Sequence, residues 1–159
     1  MSMPIRVRAF APADADALAT LFHASVRQAG IGDYSAEQVA AWSPSRPDPG
    51  TYLRRAVHRT ILVAVDATGV VVGYGDLEPD GHIDHLYCHP ERVGTGIGSG
   101  ICAELEAVAQ KTGIAVLSVE ASEGARRLFA RRGFALDSRN AFFFNGVMLH
   151  NYRMSKRIA

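Results

Sequence analysis

The chain is expected to fold as α+β, a mostly antiparallel sheet flanked by helices. Three observations carry this reading. Residues 60–66 and 70–78 are β-branched and apolar runs on either side of Ala67-Thr68-Gly69, the pattern of an antiparallel pair. Residues 134–145 and 147–156 form a second pair across Asn145-Gly146, a strong hairpin signal. Between the pairs, Ile97, Ile101, Leu105 and Val108 recur at spacings of four, four and three, which is one face of a helix.

The elements follow in order. Residues 5–10 alternate and read as a first strand. Pro12 and Asp14 suit a helix start, and Leu18, Leu21, Phe22 and Val26 make its apolar face. After a break at 30–34, Ser35 with Gln38 resembles a capping box, so a short helix runs through Trp42. Pro44, Pro47 and Pro49 stiffen a loop, and a helix is expected over 51–58. Pro79-Asp80-Gly81 then turns the chain into a strand holding Ile83, Leu86, Tyr87 and Cys88. Ile83 and Leu86 are three apart, so a regular strand cannot bury both. A β-bulge near Asp84-His85 would put Ile83, Leu86 and Cys88 on the core side, and bulges leave backbone groups unpaired. The helix from Ile97 ends near Gly113, and residues 115–120 are a strand. Ser122 caps a helix that stops at Gly133, and the last hairpin follows.

A length of 159 residues fits one domain, taken as residues 3–157. With 48% hydrophobic and 21% charged residues, the composition is that of a water-soluble globular protein. The net charge of +1 gives no argument for nucleic-acid binding or membrane attraction, and neither partner is expected. Cys88 and Cys102 match no metal or redox motif, and no metal is expected. Neither a signal peptide nor a spanning stretch is visible, so a cytoplasmic location is expected. A homodimer is left open.

The most informative stretch is residues 81–100, a strand running through Gly94, Gly96 and Gly98 into the helix. Backbone N–H groups at a glycine-rich helix start lack partners, point one way and have the helix dipole behind them, which suits a phosphate. The spacing is neither a P-loop nor a dinucleotide fingerprint.

The segment Leu86-Tyr87-Cys88-His89-Pro90-Glu91-Arg92-Val93-Gly94-Thr95-Gly96-Ile97-Gly98 resembles the acyl-CoA-binding motif of the GCN5-related N-acetyltransferases. Residues 122–134, from Ser122 through Phe129 to Gly133-Phe134, are similar to that family's second conserved segment. The resemblance implies a GNAT-like sheet with a bulged cofactor strand and acetyl-CoA as co-substrate. It implies a cofactor site made by Leu86, Tyr87, Cys88, Arg92, Val93, Gly94, Thr95, Gly96, Ile97, Gly98, Ser99, Ser122 and Phe129, with N–H donors for the thioester at Tyr87 and Cys88. Val93 and Thr95 stand where the family has cations, so backbone N–H groups, helped by Arg92, must carry the pyrophosphate. Of Arg126, Arg127, Arg131 and Arg132, read as a solvated helix face, one can reach a nucleotide phosphate. Phe129 occupies the family's tyrosine position and is expected in the core, lining the cofactor channel.

Acetyl transfer to an amine requires that the amine lose a proton. His82 and Asp84 are two apart on a strand and share a face, and the spacing resembles the His-x-His pair of the arylalkylamine N-acetyltransferases. They are the expected bases, with Tyr152 as the acid for the leaving thiolate; Tyr34, Tyr74 and Tyr87 are the other available hydroxyls. The implied function is acetyl-CoA-dependent N-acetylation of a small primary amine by direct attack in a ternary complex. A protein N-terminal or lysine acetyltransferase, or a non-catalytic acyl-CoA-binding or regulatory module, are the alternatives.

Overall fold

The computed structural model describes residues 4–29, 34–92 and 95–159. The elements are β1 (Arg6–Ala9), α1 (Ala15–Ala24), α2 (Ala36–Trp42), α3 (Gly50–Arg55), β2 (Thr60–Val65), β3 (Val71–Leu77), β4 (His82–Ile83) and β5 (Leu86–Cys88). They continue with α4 (Ile97–Lys111), β6 (Val116–Ala121), α5 (Glu123–Arg131), β7 (Ala135–Phe144) and β8 (Val147–Arg157). The expected α+β architecture is present, as two four-stranded sheets rather than one. The first has the order β1-β2-β3-β5 and is antiparallel throughout. The second has the order β4-β6-β8-β7, with β4 and β6 parallel and the rest antiparallel.

Local signals hold at most expected points. Ser35 accepts from Gln38 N at 3.1 Å and Gln38 Oε1 accepts from Ser35 N at 2.9 Å, closing the capping box on α2. Ser122 Oγ accepts from Ala125 N at 3.2 Å and caps α5. Asn145 and Gly146 have φ of 49° and 77°, the pair of positive values that a two-residue hairpin of type I′ needs. The helix expected over 51–58 is shorter, Gly50–Arg55.

β2 is apolar from Ile61 to Val65 because both of its faces are covered there. Leu62 and Ala64 join a core with α4, β6 and α5, including Ile101, Leu105, Leu117, Val119 and Phe129. Ile61, Val63 and Val65 face α1 and α3, among Leu18, Leu21, Tyr52 and Tyr74. α4 lies close on β3 because Gly73 and Gly75 have no side chains there. A Cβ on Gly75 would sit 2.8 Å from Ile101 Cγ2, and one on Gly73 2.9 Å from Ile97 Cγ2. Among the described residues no helix is long and apolar enough to cross a membrane.

Candidate active site

The irregularity expected at Asp84-His85 is present and goes further than a one-residue bulge. The chain leaves the second sheet after Ile83 and enters the first at Leu86, so β4 and β5 belong to different sheets and part. Ile83 is fully buried, and Leu86 and Cys88 pack against the same core. Asp76 of β3, 1% exposed, holds the parting. Its Oδ1 accepts from Asp84 N at 2.9 Å and His85 N at 2.8 Å. Its Oδ2 accepts from Arg55 at 2.7 Å and Arg59 at 3.3 Å. Every carboxylate oxygen of this buried charge is thereby satisfied.

The parting leaves β5 as an edge. Asp76 N donates to the His85 carbonyl at 3.0 Å and His89 N to the Val72 carbonyl at 2.8 Å. Tyr74 lies opposite Tyr87 between these bonds. The alternation of an antiparallel ladder then puts the Tyr87 N–H in the ladder and turns those of Leu86 and Cys88 outward. Of the two donors expected, Cys88 faces the gap; Leu86, not Tyr87, is the other.

A cleft of about 600 Å³ runs along this edge to the start of α4. Leu86, Tyr87, Cys88, Arg92, Gly96, Gly98, Ser99 and Ser122 all line it, as the resemblance implies. Gly96 caps α4 with φ of 88°, and the first helical bond runs from Gly100 N to Gly96 O. The N–H groups of Ile97, Gly98 and Ser99 thus have no partner within the helix. Arg127 and Arg131, one turn apart on α5, line the same cleft, while Arg126 lies over the Tyr152 ring at 4.5 Å and Arg132 bonds Glu106. These features fit an acyl-CoA: donors at the parted edge, unpaired N–H groups at a helix start, and arginines beyond. Val93 and Gly94 lie outside the described residues. Three expected positions do not line the cleft. Ile97 is core, Thr95 donates its hydroxyl to the Arg92 carbonyl, and Phe129 is 1% exposed against Phe134, with ring centres 5.0 Å apart. Phe129 is therefore core without being channel wall; Leu128, its neighbour, takes that position.

A second cavity of about 300 Å³ opens beside the first. Tyr34, Trp42, Tyr87 and Ser122 line both. Phe22, Phe142, Phe144 and Leu149 form its apolar wall, and Asp84, His85, Glu120, His150 and Asn151 its polar part. α2 and the β7–β8 hairpin are tied over it: Gln38 Nε2 donates to the Met148 carbonyl at 3.0 Å and Asn145 Nδ2 to the Ala41 carbonyl at 2.8 Å.

The charged residues near the parting form two groups. Asp84 Oδ2 accepts from Arg55 and, at 3.2 Å, from Arg59. Burial, the largest single influence, would raise the Asp84 carboxyl, but the Arg55 bond and the neighbouring positive charge together outweigh it and the pKa falls below the ordinary value. A carboxyl whose pKa is lowered in this way is a weak proton acceptor, which counts against the role expected for it. His82 lies between two acids. Nδ1 donates to Glu78 Oε1 at 2.7 Å, and Nε2 bonds Glu120 Oε2. Burial opposes the imidazolium, but the two acids outweigh it and raise the His82 pKa. His82 lines neither described cavity; Glu120 lines the second. His85, 3.0 Å from the Tyr74 hydroxyl through Nδ1, has its pKa pulled down to about 4 by burial and by Arg55. Tyr152 also lines neither cavity, and its hydroxyl donates to Glu123 Oε1. That removes the geometric basis for Tyr152 as an acid. Tyr74 bonds Tyr52 at 3.0 Å inside the core and likewise lines neither cavity.

Glu120 is the residue that sequence reasoning missed. Leu117, Val119 and Ala121 of β6 are buried, and Ser118 and Glu120 alternate to the other face. The alternation was readable. The pairing of His82 with Ser118, which brings Glu120 beside the imidazole, was not.

The His82 bridge carries a signed prediction. A raised folded-state pKa stabilises the fold fully below the unfolded value, about 6.5, and the effect is lost as pH rises through the folded pKa. His82→Gln should therefore lower the melting temperature most near pH 5.5, with the gap closing at higher pH. A gap of constant size from pH 5.5 to 9 would show that the bridge does not depend on charge.

Comparisons with known proteins agree with this geometry. The family model described as an acetyltransferase (GNAT) domain matches residues 31–156. A GCN5-related N-acetyltransferase from Rhodopseudomonas palustris is 38% identical, with 99% of each chain covered and a TM-score of 0.89. A PaiA N-acetyltransferase from Thermoplasma acidophilum, in complex with coenzyme A, is 20% identical with a TM-score of 0.80, covering 98% of this chain and 100% of that one. A phosphinothricin acetyltransferase from Sinorhizobium meliloti, in complex with acetyl-CoA, is 21% identical with a TM-score of 0.78, covering 98% and 89%. No curated protein sequence matches. On the family match and the Rhodopseudomonas relative, the chain belongs to the GCN5-related N-acetyltransferase (GNAT) family.

Proposed function

We propose that the protein is an acetyl-CoA-dependent N-acetyltransferase that acetylates a small primary amine by direct attack in a ternary complex. The observation that carries this is the meeting of the two cavities at Tyr34, Trp42, Tyr87 and Ser122. A cofactor in the cleft and an amine in the second cavity would present their reactive ends to each other there. Bound acetyl-CoA supplies an activated acetyl thioester.

The chain's residues do the rest. The Leu86 and Cys88 N–H groups donate to the thioester carbonyl oxygen as it gains charge. Glu120, its carboxylate fixed by His82 at Oε2 and by Arg153 at Oε1, takes the proton of the incoming ammonium directly or across one water. The amine nitrogen bonds the carbonyl carbon, the carbon–sulfur bond breaks, and the nitrogen's next proton leaves to solvent. A thiolate with a pKa near 8–9 leaves without a protein acid, so none is assigned. A covalent acetyl-cysteine route is disfavoured because burial pushes the Cys88 thiol up to about 11, leaving little thiolate.

Thiol release from acetyl-CoA across a panel of amines tests this reading. Sustained release with at least one amine is expected; binding of acetyl-CoA without release for any amine would favour the non-catalytic module.

The cofactor site has its own test. Ser99→Asp places a negative charge in the first turn of α4, where the helix dipole favours it by about 0.3–1 kcal/mol. The same charge would face the cofactor's pyrophosphate. Calorimetry should show acetyl-CoA affinity lowered by about tenfold or more, close to 1.4 kcal/mol, with thermal stability unchanged or slightly higher. Unchanged affinity would remove the start of α4 from the site.

A further inference from the structure

The second cavity carries formal charge of one sign. Among the described residues lining it, Asp84 and Glu120 are acids and none is lysine or arginine. The sequence at 1–3, 30–33 and 93–94 adds no lysine or arginine. Arg55 and Arg59 are engaged with Asp76 and Asp84, and Arg153 with Glu120 Oε1 at 3.3 Å, and none of the three forms part of the wall. His85, held neutral by burial, supplies no cation. With the acids, Phe22, Trp42, Phe142 and Phe144 line the cavity. Phe142 and Phe144 are 37% and 43% exposed, so their faces are there for a ligand to cover.

We infer that the acceptor is a primary amine with an aromatic or bulky apolar body and no carboxylate. This rests on the N-acetyltransferase reading and names the substrate class of that site. The apolar body lies against Phe22, Trp42, Phe142 and Phe144, where ring contacts add to area burial. The ammonium points to Glu120. An amino acid would bring a carboxylate into a cavity with two acids and no cation, an unpaired charge of the most unfavourable kind. A polyamine would leave the apolar wall uncovered, and its second ammonium would find only Asp84, already paired with Arg55 and Arg59.

The chain has one tryptophan, Trp42, and it lines both cavities. Its fluorescence therefore reports binding without any need for turnover. The test titrates the CoA-saturated protein with 2-phenylethylamine, phenylalanine and putrescine, and measures thiol release from acetyl-CoA with the same three. 2-Phenylethylamine should bind at least about 10²-fold more tightly than either of the others. Asn151→Lys, which adds a cation to the wall, should narrow the gap to phenylalanine about tenfold or more while leaving the KM for acetyl-CoA unchanged. Comparable binding of phenylalanine or putrescine, or no change of preference in a folded Asn151→Lys protein, would overturn the inference. Tight 2-phenylethylamine binding without thiol release would support this pocket chemistry and instead defeat the N-acetyltransferase reading.

Discussion

Replacing Glu120 with glutamine is expected to lower kcat/KM by about 10²–10⁴-fold, the range for a positioned acid–base group. The substitution keeps size and one hydrogen-bond acceptor for His82 Nε2 but removes the charge that draws the amine's proton. The loss should fall mainly on kcat, with the KM for acetyl-CoA unchanged, because Glu120 lines the amine cavity and no part of the cofactor cleft. Asp84→Asn provides the contrast. Asp84 lines the same cavity but is paired with Arg55 and Arg59, so its removal should disturb the loop more than the proton transfer. His82→Gln should cost less than Glu120→Gln, since His82 acts through Glu120. An acid limb in the pH profile that Glu120→Gln abolishes would belong to the protein, while one set by the amine's own pKa should persist. Near wild-type turnover in a folded, CoA-binding Glu120→Gln protein would leave the amine to lose its proton to bulk water.

Asp76→Ala should cost about 3–5 kcal/mol of folding stability, the scale for removing one partner of a buried ion pair. For a domain of this size the melting temperature shifts by about 2–4 °C per kcal/mol, so a fall of about 6–20 °C is expected. Four bonds end on this carboxylate: two guanidinium contacts and the N–H groups of Asp84 and His85. Losing the last two frees the backbone where β4 and β5 part. Asp76→Asn keeps an acceptor for both N–H groups and turns an amide toward Arg55 and Arg59. It should be destabilised through the lost charge while keeping the parted edge. Acetyl-CoA affinity should therefore fall more in a folded Asp76→Ala protein than in Asp76→Asn. A loss below about 1 kcal/mol in Asp76→Ala would mean that other contacts hold the parting.

What was legible in the sequence follows from the range of the interactions involved. The capping box at Ser35, the cap at Ser122, the Gly133 stop and the Asn145-Gly146 turn are settled within a few residues, and each is present. Ile83 and Leu86, three apart in a strand, marked the irregularity, because a period of two cannot bury both. That the strand divides between two sheets depends on Asp76, Arg55 and Arg59, remote in sequence, and no local pattern announces it. The same holds for the site. The glycine turn and its helix start were readable as an anion site, and most of the expected cleft residues line the cleft. The roles given to Asp84 and Tyr152 rested on spacing and residue type alone. Spacing put Asp84 beside His82 but could not show two arginines closing on it from α3 and the loop after it. Nor could it show Glu123 taking the Tyr152 hydroxyl. Phe129 sat at a family position whose side chain here points into the core.

The central claim is that amine and acetyl-CoA meet across the shared wall of two cavities and react without a covalent protein intermediate. Initial rates of thiol release over a matrix of acetyl-CoA and 2-phenylethylamine concentrations test it most directly. The account predicts multiple turnovers and double-reciprocal lines that intersect, as a ternary complex requires. Parallel lines, together with an acetylated protein found by intact mass after acetyl-CoA alone, would contradict it.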